Sequence, residues 1–472
     1  MARPLSDRAS SYEPAAQPTA TARSPWPVFI TAATAVFLVS LDATVLFAAF
    51  SALLNSFAAY TPAQTSWVLN AYTLVYAALL VPAGKLADSY GSRRMFVWGL
   101  ALFGLASLGC GWAWDLPWLI AARVLQGVGA ALLTPASLAL VLAAFPAQQR
   151  AVAVSLWGAV GGLAAAVGPA LGTLLIEYAG WRWVFFMHLP PLLWALYQAR
   201  RQLPVQAPGT SPARLDVLGL CLLMGGVGWL TWSVIRTESL GWASAAVWQG
   251  MGGGLALLVV FGVWAAHAAH PALDMRLLAQ RNYRLITMAT LLFGMAFAMM
   301  FFGFYFFLTG VWHYSLPLAG LAITPGPLMV VPTAILSGKW AARHGHRGLL
   351  VLGCLLLAAG GALQYSLLTP VPAFWAHWLP CQIVTGMAVG MAMPALSGAA
   401  VASLAASQYG QGAAINQAVR QFGSVLGVAL TVALLGDTAM SLAHFQPLSV
   451  VYAALAGVAA LLCTRYRPAA AA

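Results

Sequence analysis

The sequence predicts an all-α polytopic membrane protein: two six-helix bundles related by pseudo-two-fold symmetry, with two further helices inserted between them. Three observations predict it. Of 472 residues, 61% are hydrophobic and only 7% charged, and the mean hydropathy is +0.83; a soluble domain carries about a quarter charged residues. Apolar runs of the ~20 residues that span a bilayer recur along the whole chain. A short charged link, GKLADSYGSRR at 84–94, returns as GKWAARHGHR at 338–347. The frame Gly-Lys-x-Ala-x-x-x-Gly-x-Arg is kept, with Ala342 at the place of Asp88. Gly127 and Pro135 are echoed at nearly the same offset by Gly386 and Pro394. Two echoes at near-equal spacing indicate two halves of one design.

Fourteen spans follow, at about 27–52, 63–86, 94–113, 117–143, 150–176, 183–201, 215–235, 243–267, 284–310, 318–342, 348–368, 374–403, 410–436 and 447–465. Lys and Arg set their orientation, because cytoplasmic loops carry the basic excess. With the N-terminus inside, all but four of the 22 basic residues fall on inner segments. The four are Arg182 and Arg236 in outer loops, and Arg123 and Arg420 within spans. The chain therefore reads as a multi-pass protein of the cell membrane (inner or plasma) with both termini cytoplasmic. Residues 1–26 form a disordered cytoplasmic tail, 27–201 an N-terminal six-helix bundle and 202–283 a linker with two extra spans. Residues 284–465 form the C-terminal bundle and 466–472 a second cytoplasmic tail. The first apolar run is too long for a signal-peptide core.

The net charge of +12 is thus topology and attraction to anionic lipid, and implies no nucleic-acid partner. Cys110, Cys221, Cys354, Cys381 and Cys463 all lie in apolar runs with no close pairing in sequence. They read as small buried hydrophobes, without disulfide or metal. His188, His344, His346 and His377 show no metal-ligand spacing. Nucleotide and nucleophile motifs are absent, and GMGGGLALL at 250–258 reads as glycine in a span. Trp112, Trp114, Trp118, Trp181 and Trp183 read as an interfacial belt.

Few residues are suited to chemistry. Nearly all ten acidic residues fall at loops or span ends. Asp42 is the exception, about 22 Å along its helix from Pro27. A carboxylate near mid-membrane costs several kcal/mol, so it marks function rather than packing. Desolvation favours its protonated form, which suits a group that takes up and releases a proton. Arg123 opens RVLQGVGAALLTP in the fourth span; it either faces a carboxylate such as Asp42 or snorkels near the inner end of its helix. Its counterpart in the second half is Gln382. Arg420 shares a helical face with Asn416, four residues earlier, and this polar face either lines a cavity or bonds another helix. Gln126 joins Asn416 and Arg420 as candidate cavity lining. GAVGGLAAAVGPALG at 158–172 permits close helix contact and carries the helix-kinking Pro169. Asp88 reads either as a helix-end charge paired with Arg93 or Arg94, or as part of a seam that biases which state is closed.

These motifs together resemble the major facilitator superfamily, and most of all its fourteen-helix drug:proton antiporter branch. GKLADSYGSRR is similar to the superfamily's signature inner loop, LDATV at 41–45 to the branch's first-helix motif, and RVLQGVGAALLTPASL at 123–138 to the fourth-helix motif. GPALG at 168–172 resembles the antiporter motif, and WRWVFF at 181–186 is also similar to the branch. The resemblance spans nearly all of 27–465. It implies that Asp42 is the proton-linked carboxylate and Arg123 its partner. Gly84, Lys85, Asp88, Gly91, Arg93 and Arg94 would form the inner gate; Gly168, Pro169 and Gly172 would lie at the bundle interface. Phe47, Ser51, Thr173 and His188 depart from the branch's usual residues.

The expectation is therefore a secondary active exporter of small molecules, drugs or amphipathic compounds, exchanged for protons by alternating access. It would be driven by the proton gradient with no cofactor, metal or enzyme activity. Its partners would be the substrate, protons and the bilayer, joined in a double-membrane bacterium by a periplasmic adaptor protein. The rivals are a specific metabolite transporter or symporter on the same fold, a transport-inactive sensor, and a membrane enzyme built on His188.

Overall fold

A computed structural model describes residues 24–146, 149–203, 215–402, 404, 408–435 and 441–467. Most of the two expected tails and the linker stretch 204–214 lie outside these residues. The long helices run in the order α1 (Trp26–Ser56), α2 (Trp67–Tyr90), α3 (Ser92–Gly111), α4 (Leu116–Ala144), α5 (Arg150–Ala179), α6 (Leu189–Gln202) and α7 (Val217–Ile235). They continue as α8 (Ala245–His267), α9 (Arg281–Phe306), α10 (Pro325–His344), α11 (Arg347–Leu367), α12 (Leu379–Ala402), α13 (Tyr409–Leu435) and α14 (Leu442–Thr464). A short helix, Leu316–Ile323, leads into α10.

Thirteen segments among the described residues are long and apolar enough to cross a membrane. The shortfall against fourteen is the sixth span. Residues 183–201 do not form one continuous helix; a single turn, Trp183–Phe186, is followed by the 14-residue α6. Pro190 and Pro191 explain the break, since neither can donate an N–H to the preceding turn. Elsewhere local chemistry sets the ends. Asp115 caps α4 by accepting from the Trp118 N–H at 2.9 Å, and Asp216 caps α7 by accepting from the Gly219 N–H at 2.8 Å. Each satisfies a donor that a helix start leaves orphaned.

α1 packs on α4, α5 and α6, and α4 also on α2 and α3. In the second bundle α9 packs on α13 and α14, while α12 packs on α10 and α11. The internal repeat is visible in detail. Gly91 and Gly345 both adopt positive φ, 91° and 75°, a region that only glycine enters freely. Arg93 donates to the Arg200 carbonyl in the last turn of α6 at 2.9 Å, and its repeat mate Arg347 donates to the Thr464 carbonyl in the last turn of α14 at 2.8 Å. A cation there complements the carbonyl end of each helix. Gly127 lies against the Tyr72 backbone of α2, and Gly386 against the Gly326 backbone of α10.

α7 and α8 form a hairpin, and α7 leans on both α2 and α13, one helix from each bundle. The bundles themselves meet along α2 and α13 and, in addition, in the half of the molecule remote from the loop at 84–94. Phe47 and Phe50 of α1 stack against Phe301, Phe302 and Phe306 of α9. The Pro169 carbonyl and Thr173 of α5 press on Gly320. At the opposite end, Asp88 and Arg94 are exposed.

Two expectations change. Trp112, Trp114, Trp118 and Trp183 are exposed as a belt requires, but Trp181 is buried and its indole donates to Ser56 Oγ at 2.9 Å. Cys110, Cys354, Cys381 and Cys463 are free and buried as small apolar residues should be, but Cys221 of α7 is exposed, so it is no buried hydrophobe.

Candidate functional site: a buried ion pair between α1 and α4

Asp42 sits midway along α1, about 24 Å from Trp26, and is completely buried. Arg123 of α4 reaches it with Nη1, 3.0 Å from Oδ1 and 2.7 Å from Oδ2. This is the one salt bridge found among the described residues. Arg123 is 1% exposed, which rules out snorkelling. It also lies near the start of α4, at the end away from the gate loop rather than beside it. Three elements hold its side chain in place. Nε donates to the Val68 carbonyl at 2.9 Å, Nη1 donates to Gln126 Oε1 at 2.6 Å, and the Tyr72 ring lies 3.9 Å beneath the guanidinium carbon. Gln126, one turn further along α4, donates from Nε2 to Asp42 Oδ1 at 3.2 Å and to Ser107 Oγ at 3.0 Å. Ser107 in turn donates to the Phe103 carbonyl.

The carboxylate thus accepts from two side chains of one helix face, and the guanidinium is shared among a carboxylate, an amide, a carbonyl and a ring. Removing either partner would strand a buried charge, which costs several kcal/mol. Gln126 is therefore bonded within the ion-pair network. Ser107 and Tyr72 are the members that sequence reading missed: a lone Ser or Tyr in an apolar run is too common to single out. His188 is buried with its ring edge-on to Phe103 at 5.6 Å between centroids. Neither of its nitrogens has a hydrogen-bond partner among the described residues.

The second polar group lies on α13. Asn416 is buried and donates to Thr290 Oγ1 of α9 at 2.9 Å, so it joins helices within one bundle instead of lining a cavity. Arg420, on the same helix, is half-buried and donates from Nε to Gln417 Oε1 at 3.3 Å; α13 packs on α2 across the seam between the bundles. Gln382, the repeat mate of Arg123, is buried with neither side-chain polar atom bonded among the described residues. The two halves share a scaffold but carry their charge asymmetrically.

The gate loop is only partly a cluster. A Cβ added at Gly84 would lie 3.9 Å from Pro135 Cβ, an ordinary van der Waals contact, so the position is not sterically restricted to glycine. Lys85 Nζ donates to the Pro271 carbonyl at 2.9 Å, in the connection that follows α8. Asp88 forms no ion pair with Arg93 or Arg94, since Arg93 is turned to the end of α6. Asp216 closes the Lys85 contact from the other side. It accepts from the Trp264 indole and from the Ala272 N–H, both at 2.9 Å. Burial alone would raise its carboxyl, but the Gly219, Trp264 and Ala272 donors and the nearby Lys85 charge outweigh it and hold Asp216 below the usual range.

Gly168 and Gly172 face Thr44 and Val45 of α1 in the same bundle, and a Cβ on either would collide with them. Pro169, between them in sequence, is the member that touches the other bundle. Among the described residues no cluster of His, Cys, Asp and Glu is arranged to hold a metal ion.

A bilayer-spanning repeat fold with a buried, charge-bearing core is the architecture of a membrane carrier. The model of the Major Facilitator Superfamily matches residues 32–427 and 286–472, and the chain belongs to that superfamily. Among similar proteins, the puromycin resistance protein pur8 of Streptomyces alboniger is 36% identical over 405 residues, covering 84% of this chain and 79% of that protein. The cephamycin export protein CmcT of Amycolatopsis lactamdurans is 32% identical over 415 residues, covering 86% and 84%. The crystal structure of a D-xylose-proton symporter superposes with a TM-score of 0.67 at 15% identity, over 94% of this chain and 98% of that one; at that identity it shows the shared fold alone.

Proposed function

We propose that this protein is a secondary active exporter of small, drug-like molecules, exchanging them for protons by alternating access in the manner of the fourteen-helix drug:proton antiporter branch. The observation that carries the reading is the Asp42–Arg123 pair, a carboxylate and guanidinium sealed from solvent at mid-membrane. Relatives named for antibiotic resistance or export support the exported cargo. Protonation of Asp42 would cancel its charge and leave Arg123 to Gln126, Val68 and Tyr72, so the pair has two electrostatic states of similar geometry. A proton biases the cycle only by its different affinity for the two bundle arrangements.

With the gate loop cytoplasmic, as its basic residues indicate, bundles joined at the far end and Asp88 exposed at the near end correspond to an inward-facing state. Both termini would then be cytoplasmic, and no cofactor would be needed beyond the proton gradient. Lys85, Asp88, Arg93 and Arg94 would re-form as a gate in the opposite state, and Pro169 would mark where the bundles pivot.

The test is proton movement in energised inverted vesicles challenged with a panel of amphipathic compounds. Substrate-evoked proton efflux should be seen with the native protein and lost in Asp42→Asn. Substrate flux that persists unchanged in the variant, with no proton signal, would overturn the coupling role.

A further inference from the structure

Arg420 poses an electrostatic problem that the ion pair does not solve. It lies about 16 Å from the start of α13, well inside the span Tyr409–Leu435. Its one recorded hydrogen bond runs from Nε to the neighbouring Gln417 Oε1, at 3.3 Å. The described residues place no carboxylate within 4.0 Å of it. The sequence explains why. Asp42 is the single acidic residue deep within a span, and Arg123 already holds it. A charged side chain at mid-membrane is costly and normally faces a partner or a water-filled space. Arg420 is half-buried rather than sealed, and its helix α13 packs on α2 of the first bundle.

Arg420 therefore lies on a helix that forms the seam between the bundles. Tyr76 lies on the facing helix α2, its hydroxyl 3.1 Å from Thr134 Oγ1, and it shares an electrostatic neighbourhood with Gln417 and Arg420 of α13. The first bundle contributes a hydroxyl pair and the second a guanidinium and an amide. With the Asp42–Arg123 pair neutral as a unit, the net fixed charge of the mid-membrane polar groups is positive.

We propose that Arg420, with Gln417 and Tyr76, is the anchoring subsite for an anionic substrate group, a carboxylate or a similarly charged acidic oxygen. A guanidinium offers a planar fork of N–H donors that matches a carboxylate. The Tyr76 hydroxyl and the Gln417 amide can donate to the same oxygens from two bundles at once. An organic cation would meet the repulsion of Arg420 with no carboxylate free to offset it. The subsite deepens the exporter reading and rests on it for the route the anion takes, but not for its binding.

Carboxyfluorescein and rhodamine 6G, two xanthene dyes of opposite charge, test this by fluorescence anisotropy on purified protein in nanodiscs. The native protein should bind the anionic dye more tightly. Arg420→Gln should raise the anion's Kd about tenfold or more, the scale of a lost charge-assisted pair, and leave the cation's Kd unchanged or lowered. Arg420→Lys, which keeps the charge but not the fork, should weaken anion binding less than Arg420→Gln does, and Tyr76→Phe should weaken it about threefold, so the proposal stays testable if Arg420→Gln misfolds. Tighter binding of the cation by native protein, no anion binding, or an anion Kd unmoved by Arg420→Gln would each overturn it. Vesicle proton movement separates the two readings: anion binding without evoked proton movement sinks the exchange and keeps the subsite. Proton movement evoked by rhodamine 6G without anion binding sinks the subsite alone.

Discussion

Lys85 and Pro271, 186 residues apart in sequence, are joined by a hydrogen bond of 2.9 Å from the lysine ammonium to the proline carbonyl. The gate loop of the first bundle is thereby tied to the segment that leads from α8 into α9. Asp216 steadies the same segment through the Ala272 N–H. Asp216→Asn should speed hydrogen exchange across 268–280, and Lys85→Met should do the same. The pH dependence has a defined sign. Asp216 has a depressed folded-state value, so its contribution is fully present above the unfolded carboxyl value of about 4 and is lost as pH falls through the lower folded value. Exchange protection corrected for intrinsic rate should be flat from pH 5 to 7 and fall only below that window. A steady decline between pH 7 and 5 would show that another group holds the segment.

Asp42→Ala should destabilise the protein by about 3–5 kcal/mol, because Arg123 is left as a buried charge without its counter-ion. Arg123→Met alone should cost a similar amount. The double variant should lose less than the two singles combined, giving a coupling energy of at least ~1 kcal/mol in a thermodynamic cycle. Denaturation in detergent, followed by tryptophan fluorescence, would measure it. Additive losses would mean that the pair does not act as a unit.

Gly172→Val should destabilise by about 1–3 kcal/mol, through collision of the new side chain with Val45. Gly320→Val acts differently, because its side chain would enter the contact with the Pro169 carbonyl and Thr173 between the bundles. It should wedge that end apart and favour the opposite arrangement. Spin labels at exposed sites on α5 and α10 would read longer distances at that end. Unchanged distances would show that the contact yields locally.

Asp88→Asn should alter thermal stability by less than ~0.5 kcal/mol, the usual range for an exposed group without a partner, yet slow substrate flux. The carboxylate is exposed here and outside any ion pair among the described residues, so its contribution would belong to the alternate arrangement. A large loss of stability with normal flux would reverse that assignment.

Much of the architecture was legible because hydropathy and glycine spacing are local signals. Gly91 and Gly345 announced matching turns, and Asp42 stood out because mid-membrane acids are costly. Arg123 was ambiguous, since position in a span does not tell which neighbour a long side chain meets. The structure resolves it through Val68 and Tyr72, which come from a third helix. Gly168 and Gly172 marked a close contact correctly but not its partner; the same glycine pattern serves packing within a bundle or between bundles. The break at Pro190 and Pro191 was hidden inside an apolar run whose length alone suggested continuity. Lys85 looked like part of a self-contained charged turn, and nothing local points to a carbonyl 186 residues away.

The placement of α7 has a further meaning for compounds dissolved in lipid. Leu74 of α2 lies against Gly228, and Ala429 of α13 packs with Val234 and Ile235. The inserted helix thus covers the line along which α2 and α13 meet. The other line of contact, between α5 and α10, carries exposed Leu156, Leu163, Leu328 and Leu336. A greasy molecule arriving sideways from the bilayer would therefore meet two unlike flanks, one covered by an inserted helix and one lined by bare leucines.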